Sequence, residues 1–225
     1  MCPYFVNEGF PDLQSGWLKP AIDAVHRSGG LFIADEVQPG FGRLGSHFWG
    51  HQYQGVKPDI VTLGKPMANG HPVGAVVTSK DIMTTFRKAF RYFNTFGGNP
   101  VSCAAAMAVL DEIDRMDLTT NAIAVGNYAI SKLNSLRDKH SLIGDVRGKG
   151  MLFGAELVLD RSSKEPATEM TAKLVNLLRD RGIILSSLGR HKNILKIRPP
   201  MPFSADNVDL LVETLDGALH DLAAR

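Results

Sequence analysis

A chain of 225 residues with 44% hydrophobic content can bury a sizeable core and hold one large or two small domains. Its 25 basic and 23 acidic residues leave a net charge of +2, and the absence of a Lys/Arg-rich run with interleaved aromatics excludes the electrostatic footprint of a nucleic-acid binder. The two cysteines, Cys2 and Cys103, make no disulfide framework or paired metal motif and suit a reducing cytoplasm, while no apolar run nears the ~18 residues of a membrane span and residues 1–4 do not open a signal peptide.

In chain order, residues 15–28 carry Leu18, Ala21, Ile22 and Val25 on one helical face, and Gly29 and Gly30 close that helix. The run Leu31, Phe32, Ile33, Ala34 then reads as a buried strand ending in Asp35. Beyond it, Gly40, Gly42 and Gly45 match the letter of the G-x-G-x-x-G dinucleotide fingerprint. Pro39 intervenes, however, and residues 46–51 have no helical apolar period, so the stretch reads as a glycine-rich active-site loop. His47 and His51 are four apart, but Phe48 stands where a zincin needs its glutamate; they read as loop histidines, with no metal site.

Ile60 to Leu63 is a second short apolar run, bounded by Pro58 and Asp59 before and by Gly64 after, so that Lys65 sits at the mouth of a strand. Taken alone this lysine is either a solvated residue closing a strand or an amine whose pKa falls by desolvation far enough to form a Schiff base. With Asp35 it makes an amine and a carboxylate on one edge of a sheet, where open α/β sheets bind ligands.

A turn cluster follows at residues 67–72, then an apolar strand at 73–78. Asn99 is a candidate cap and Pro100 a fitting first residue for a helix over 101–116, and a second helix is expected over about 119–139. After Gly144 the texture changes, with Gly148, Gly150 and Gly154 around Met151, Leu152 and Phe153. The expected division is therefore a first domain over 1–143 and a small α+β domain over 144–225, with a helix over 168–181, strands near 183–185 and 194–197, and a last helix from Ser204.

Three segments together resemble the class III aminotransferases: Leu31 to Gln38 with Gly40, Phe41, Gly42 and Arg43; Pro58 to Lys65; and Asn94 to Pro100. The likeness continues through Arg147, Gly148, Lys149 and Gly150 to Lys196, Ile197, Arg198, Pro199 and Pro200, and so covers nearly the whole chain. Within the class, residues 94–103 and 193–201 look most like the branch of alanine-glyoxylate aminotransferase 2 and the ethanolamine-phosphate phospho-lyases. The resemblance implies an α/β chain, part of the fold-type I large domain with a mostly parallel sheet and flanking helices, followed by a small α+β domain. It also implies pyridoxal 5'-phosphate as cofactor and a homodimer with shared active sites.

By position, the resemblance gives Lys65 the Schiff base and the proton shuttle, and gives Asp35 the pyridine nitrogen, whose charge it maintains so that the ring can draw in electrons. Val37 would pack on a ring face, Gln38 would bond the phenolic oxygen, and Thr95 would reach the phosphate of a neighbouring subunit's cofactor. Arg198 would bind a substrate carboxylate bidentately, although in some members the arginine aligns nearer Lys196. Nothing before Asp35 resembles the family's glycine- and serine-rich phosphate turn or its ring-stacking aromatic, so the chain looks like the carboxyl-terminal half alone. The function implied is transfer of an amino group between an amino acid or amine and a 2-oxo acid. Phosphate elimination from a phospho-amine and a non-catalytic remnant are the alternatives.

Overall fold

The computed structural model describes residues 1–224. They form two compact units, neither continuous in sequence: residues 1–4, 13–42 and 47–118 make the first, and residues 5–12, 43–46 and 119–224 the second.

The first unit opens with helix α1, Lys19–Arg27, which buries Ile22, has Pro20 in its first turn and is followed by Gly29 in the left-handed region. Strand β1, Ile33–Asp35, pairs in parallel with β2, Ile60–Leu63, in a register that sets Asp35 against Thr62. The link between them passes through a one-turn helix α2, Gly50–Tyr53. Strand β3, Ala75–Thr78, runs antiparallel to β2, with Leu63 opposite Ala75. The short link from β2 to β3 contains a single 3-10 turn, Lys65–Ala68, and cannot make the crossover that a parallel partner needs. Helix α3, Lys80–Ala89, starts at Ser79, whose hydroxyl accepts from the Ile82 amide at 3.3 Å, and α4, Pro100–Arg115, starts at Asn99, which accepts from the Ser102 amide at 3.0 Å.

Two expectations are corrected here. The runs at 31–34 and 60–63 do not make buried strands: in β1 only Ala34 is buried while Ile33 and Asp35 are open, and all of β2 is half-buried. β1 is an edge of a three-stranded sheet, and the faces of the central β2 are only partly covered. Helices α2 and α3 were not expected at all.

In the second unit, α5, Leu118–Lys139, precedes an antiparallel sheet of order β4-β5-β8-β7, made by β4, Ile143–Lys149; β5, Leu152–Asp160; β7, Ser186–Leu188; and β8, Ile194–Ile197. A two-residue strand β6, Glu165–Pro166, pairs with β5. Helices α6, Thr168–Asp180, and α7, Ala205–Ala223, complete it; Ser204 caps α7 by accepting from the Asn207 amide at 3.2 Å. One apolar core joins Leu133 and Leu136 of α5, Phe153 and Leu157 of β5, Leu174 of α6, Leu195 of β8 and Leu215 of α7. The boundary expected at 143/144 falls inside this unit, because α5 packs its apolar face into the same core.

Two distant segments belong to that core's packing. Residues 5–12 bring Phe10, fully buried, against Gly154, and Arg147 Nε donates to the Gly9 carbonyl at 2.6 Å. Residues 43–46 lie against Gly150, which has φ +56 and no room for a Cβ beside the Arg43 carbonyl; the Met151 amide donates to that same carbonyl at 2.9 Å. Glycine is required at 150 on both counts.

Candidate active site

The parallel register of β1 and β2 decides what the first unit can present. With Asp35 level with Thr62, the carboxyl ends of both strands open on the same edge, and Lys65 begins the turn directly beyond. Both side chains are exposed on that edge. Asp35 Oδ1 accepts from the Val37 amide at 3.0 Å, and Oδ2 has no partner among the described residues. Val37 is half-buried, and its methyls lie 3.7 and 3.9 Å from where a Cβ on Gly64 would stand, so they border the residue before Lys65. Gln38 is half-buried on the same loop.

Lys65 has φ +33, a left-handed backbone that a non-glycine residue adopts at a cost of order 1–3 kcal/mol and that clusters at functional positions. It is also followed by Pro66, which disfavours the right-handed helical alternative for the residue before it. The fold therefore constrains the backbone from which this lysine leaves the strand end.

Thr95 is exposed in the loop between α3 and α4. Two asparagines shape that loop. Asn94 Oδ1 accepts from the Phe96 and Gly97 amides at 3.2 and 3.0 Å, and Asn99 Nδ2 donates to the Phe96 carbonyl at 2.8 Å.

Three neighbours of these residues carry no motif of their own in the sequence. Glu36 follows Asp35, and strand alternation turns it the other way, into the interior, where it is fully buried. There Oε2 accepts from the Gly50 amide at 2.7 Å, while Oε1 accepts from the His51 amide and pairs with His51 Nδ1, both at 2.8 Å. This carboxylate holds the first turn of α2 and anchors the loop that begins with Asp35. His51, read as an ordinary loop histidine, is thus its partner. The third neighbour is His71, whose Nε2 lies 2.9 Å from Ser102 Oγ in the first turn of α4. Its sequence signal was the spacing of Asn99 and Ser102 around an expected helix start.

In the second unit Arg198 is exposed just past β8, on a cleft of about 520 Å3 also lined by Ser186, Lys196, Phe203 and Asn207. Arg43 stands behind it, donating from Nη1 to the carbonyls of Pro199 at 2.8 Å and Met151 at 3.3 Å. Burial first, and then the positive charge of Arg198, push the Arg43 guanidinium down to about 10. Lys196 and Arg198 both line the cleft, and two like charges there favour an anionic occupant.

The chain matches the family model for class-III aminotransferases over residues 6–219. It belongs to the class-III aminotransferase family. Among curated relatives, it is 47% identical over 214 residues to alanine-glyoxylate aminotransferase 2 homolog 2, mitochondrial, of Arabidopsis thaliana, covering 95% of this chain and 44% of that protein. It is 43% identical over 206 residues to ethanolamine-phosphate phospho-lyase homolog 1 of Caenorhabditis elegans, covering 90% and 44%. Among solved structures, an Arthrobacter phospholyase in complex with phosphoethanolamine superposes with a TM-score of 0.92 at 42% identity, over 97% of this chain and 52% of that one. This member of the family therefore spans about half the length of the relatives it matches.

Proposed function

We propose that this chain carries the lysine-bearing part of a pyridoxal-phosphate-dependent transaminase that moves an amino group between an amino acid or amine and a 2-oxo acid. The observation that supports it is the β1–β2 register, which brings Asp35 and Lys65 to one edge, in a chain matched by the family over residues 6–219. The residues fit the cofactor. A carboxylate oxygen with no partner among the described residues suits a protonated ring nitrogen, and an amine on a left-handed backbone suits a covalent attachment point. When bound, pyridoxal phosphate supplies an aldehyde for amino groups and a cationic ring that takes up electrons.

The roles then follow from each group's chemistry. Asp35 holds the positive charge at the ring nitrogen by ion pairing. Val37, beside Gly64, offers an apolar wall to a ring face, and the Gln38 amide donates to the phenolic oxygen. The Lys65 amine would serve as the base that carries a proton between the substrate's α-carbon and the cofactor's C4′ carbon. Thr95 donates its hydroxyl to a phosphate oxygen of a second subunit's cofactor, which makes the working form a homodimer. Arg198 pairs with the substrate carboxylate.

The test is borohydride reduction of protein incubated with pyridoxal phosphate, followed by peptide mapping. The pyridoxyl group is expected on Lys65, and a label on Lys57, Lys80 or Lys149 instead would overturn the assignment. Sedimentation of the loaded protein should report a dimer. The likeness to the phosphoethanolamine-bound phospholyase favours one second reading, elimination of phosphate from a phospho-amine. Incubation with phosphoethanolamine separates the two, because elimination releases inorganic phosphate and transamination makes a new amino acid. We place the protein in the cytoplasm on its cysteine usage, whereas the Arabidopsis relative is called mitochondrial; imaging of the tagged protein in its own cell decides.

A further inference from the structure

Lys65 and Thr95 lie on separate loops, yet a continuous line of hydrogen bonds runs between those loops. On the lysine side, the Met67 amide donates to the Gly64 carbonyl at 2.9 Å, and the His71 amide donates to the Ala68 carbonyl at 3.1 Å, so His71 closes the turn that Lys65 opens. The His71 ring then meets Ser102, which is only 6% exposed, with Nε2 and Oγ 2.9 Å apart. On the other side, Asn99 Nδ2 donates to Ser102 Oγ at 2.9 Å and to the Phe96 carbonyl at 2.8 Å. Phe96 is the residue after Thr95.

The bonds of Asn99 have a fixed direction. Asn99 Oδ1 accepts from the Ser102 amide and Nδ2 reaches a carbonyl, which fixes which way the amide points. Nδ2 must then be the donor to Ser102 Oγ. Ser102 Oγ has a second lone pair and its own hydrogen for His71 Nε2, so that bond forms with either tautomer of the imidazole and does not compete with the one from Asn99.

We propose that His71 is a positioning residue: through Ser102 and Asn99 it holds the Lys65 turn and the Thr95 loop in one register. The proposal rests on the roles given to Lys65 and Thr95 above. Because Thr95 is assigned to a second subunit's cofactor, the same line ties the lysine of one site to a phosphate contact of the other.

The experiment uses the purified chain, with and without pyridoxal phosphate, and three variants: His71→Phe, His71→Gln and Ser102→Ala. His71 is half-buried on a turn, and the glutamine amide, which carries both an acceptor and a donor, can take the place of Nε2 in either role. Hydrogen exchange is read separately over residues 64–71 and 94–99, and cofactor retention is read from the visible absorbance during dilution. His71→Phe should speed exchange on the far loop, 94–99, as well as on its own turn, and speed cofactor loss, each by about fivefold for one lost hydrogen bond. Ser102→Ala should loosen both segments alike. His71→Gln should restore both readouts to near the parent value, which a residue that only fills space would not do. Loosening confined to residues 64–71, or a glutamine variant as impaired as the phenylalanine one, would overturn the proposal. If instead the reading of Lys65 is wrong, the exchange pattern stands while borohydride fails to label Lys65, so the two failures are distinct.

Discussion

Replacing Glu36 by glutamine tests whether the loop after Asp35 is held from inside the protein. The carboxylate is fully buried, and its two oxygens meet three donors: the amides of Gly50 and His51 and the His51 ring, at 2.7 to 2.8 Å. A glutamine has nearly the same volume but brings an NH2 where an acceptor is needed, so one of the two α2 amides faces a donor. Hydrogen bonds to charged groups contribute about 1.5–3 kcal/mol each, and a buried donor left unpaired costs a similar amount, so a net loss of about 3 kcal/mol is expected. For a chain of this size that lowers the melting temperature by roughly 6–12 °C. Thermal unfolding followed by tryptophan fluorescence is a suitable assay, since Trp49 precedes α2 directly. A glutamine variant melting within a degree of the parent would refute the view that Glu36 anchors the Asp35 loop.

Asp35→Asn should leave pyridoxal phosphate bound through Lys65 yet slow turnover of the complete enzyme about a thousandfold, as loss of ~4 kcal/mol of transition-state stabilisation would do; near-normal turnover would reduce Asp35 to a strand-end residue. Gly150→Ala should destabilise the chain by about 3 kcal/mol or more, because φ +56 and the Arg43 carbonyl both oppose a Cβ, which urea denaturation would read as a lowered midpoint. A pH effect is expected at Asp59, whose carboxyl is held below the usual carboxylate range by the Phe32 amide foremost and by the His26 ring, against the opposing effect of burial. A depressed folded pKa contributes stability that is fully present above the unfolded value of about 3.9 and is lost as pH falls through the lower folded value. Asp59→Ala should therefore flatten the acid limb of the urea midpoint against pH, and an unchanged limb would contradict the pairing.

What the sequence made legible was local. Asp35 and Lys65 could be found because each ends an apolar run beside a turn residue, and a strand end needs no distant contact to be recognised. The helices α4 and α7 were legible for the same reason, since Asn99 and Ser204 are caps that act within their own first turn. Helix α2 was hidden because what holds its first turn, Glu36, lies 14 and 15 positions upstream, and no apolar period marks four residues. Helix α3 did carry a signal, Ser79 ahead of Ile82, Met83 and Phe86, that the weight given to the following loop obscured. The half-exposure of β1 and β2 could not be read from composition, because burial depends on what lies on each face and not on how apolar the strand is.

The way the second unit borrows residues 5–12 has a consequence for the order in which the chain can fold. Arg147 reaches back 138 positions to the Gly9 carbonyl, and Lys196 lies 3.4 Å from the Asn7 amide oxygen, 189 positions away. At a synthesis rate of roughly 5–20 residues per second, residues 5–12 wait on the order of ten seconds or more for the strands that receive them. During that interval Val6 and Phe10, both fully buried at the end, have no place to go. The entropy of closing so long a loop falls late, when β5 and β8 already exist to repay it. Phe10 is therefore among the last side chains of this unit to be covered, and the strap of residues 5–12 acts as a seal on a sheet that must first form without it.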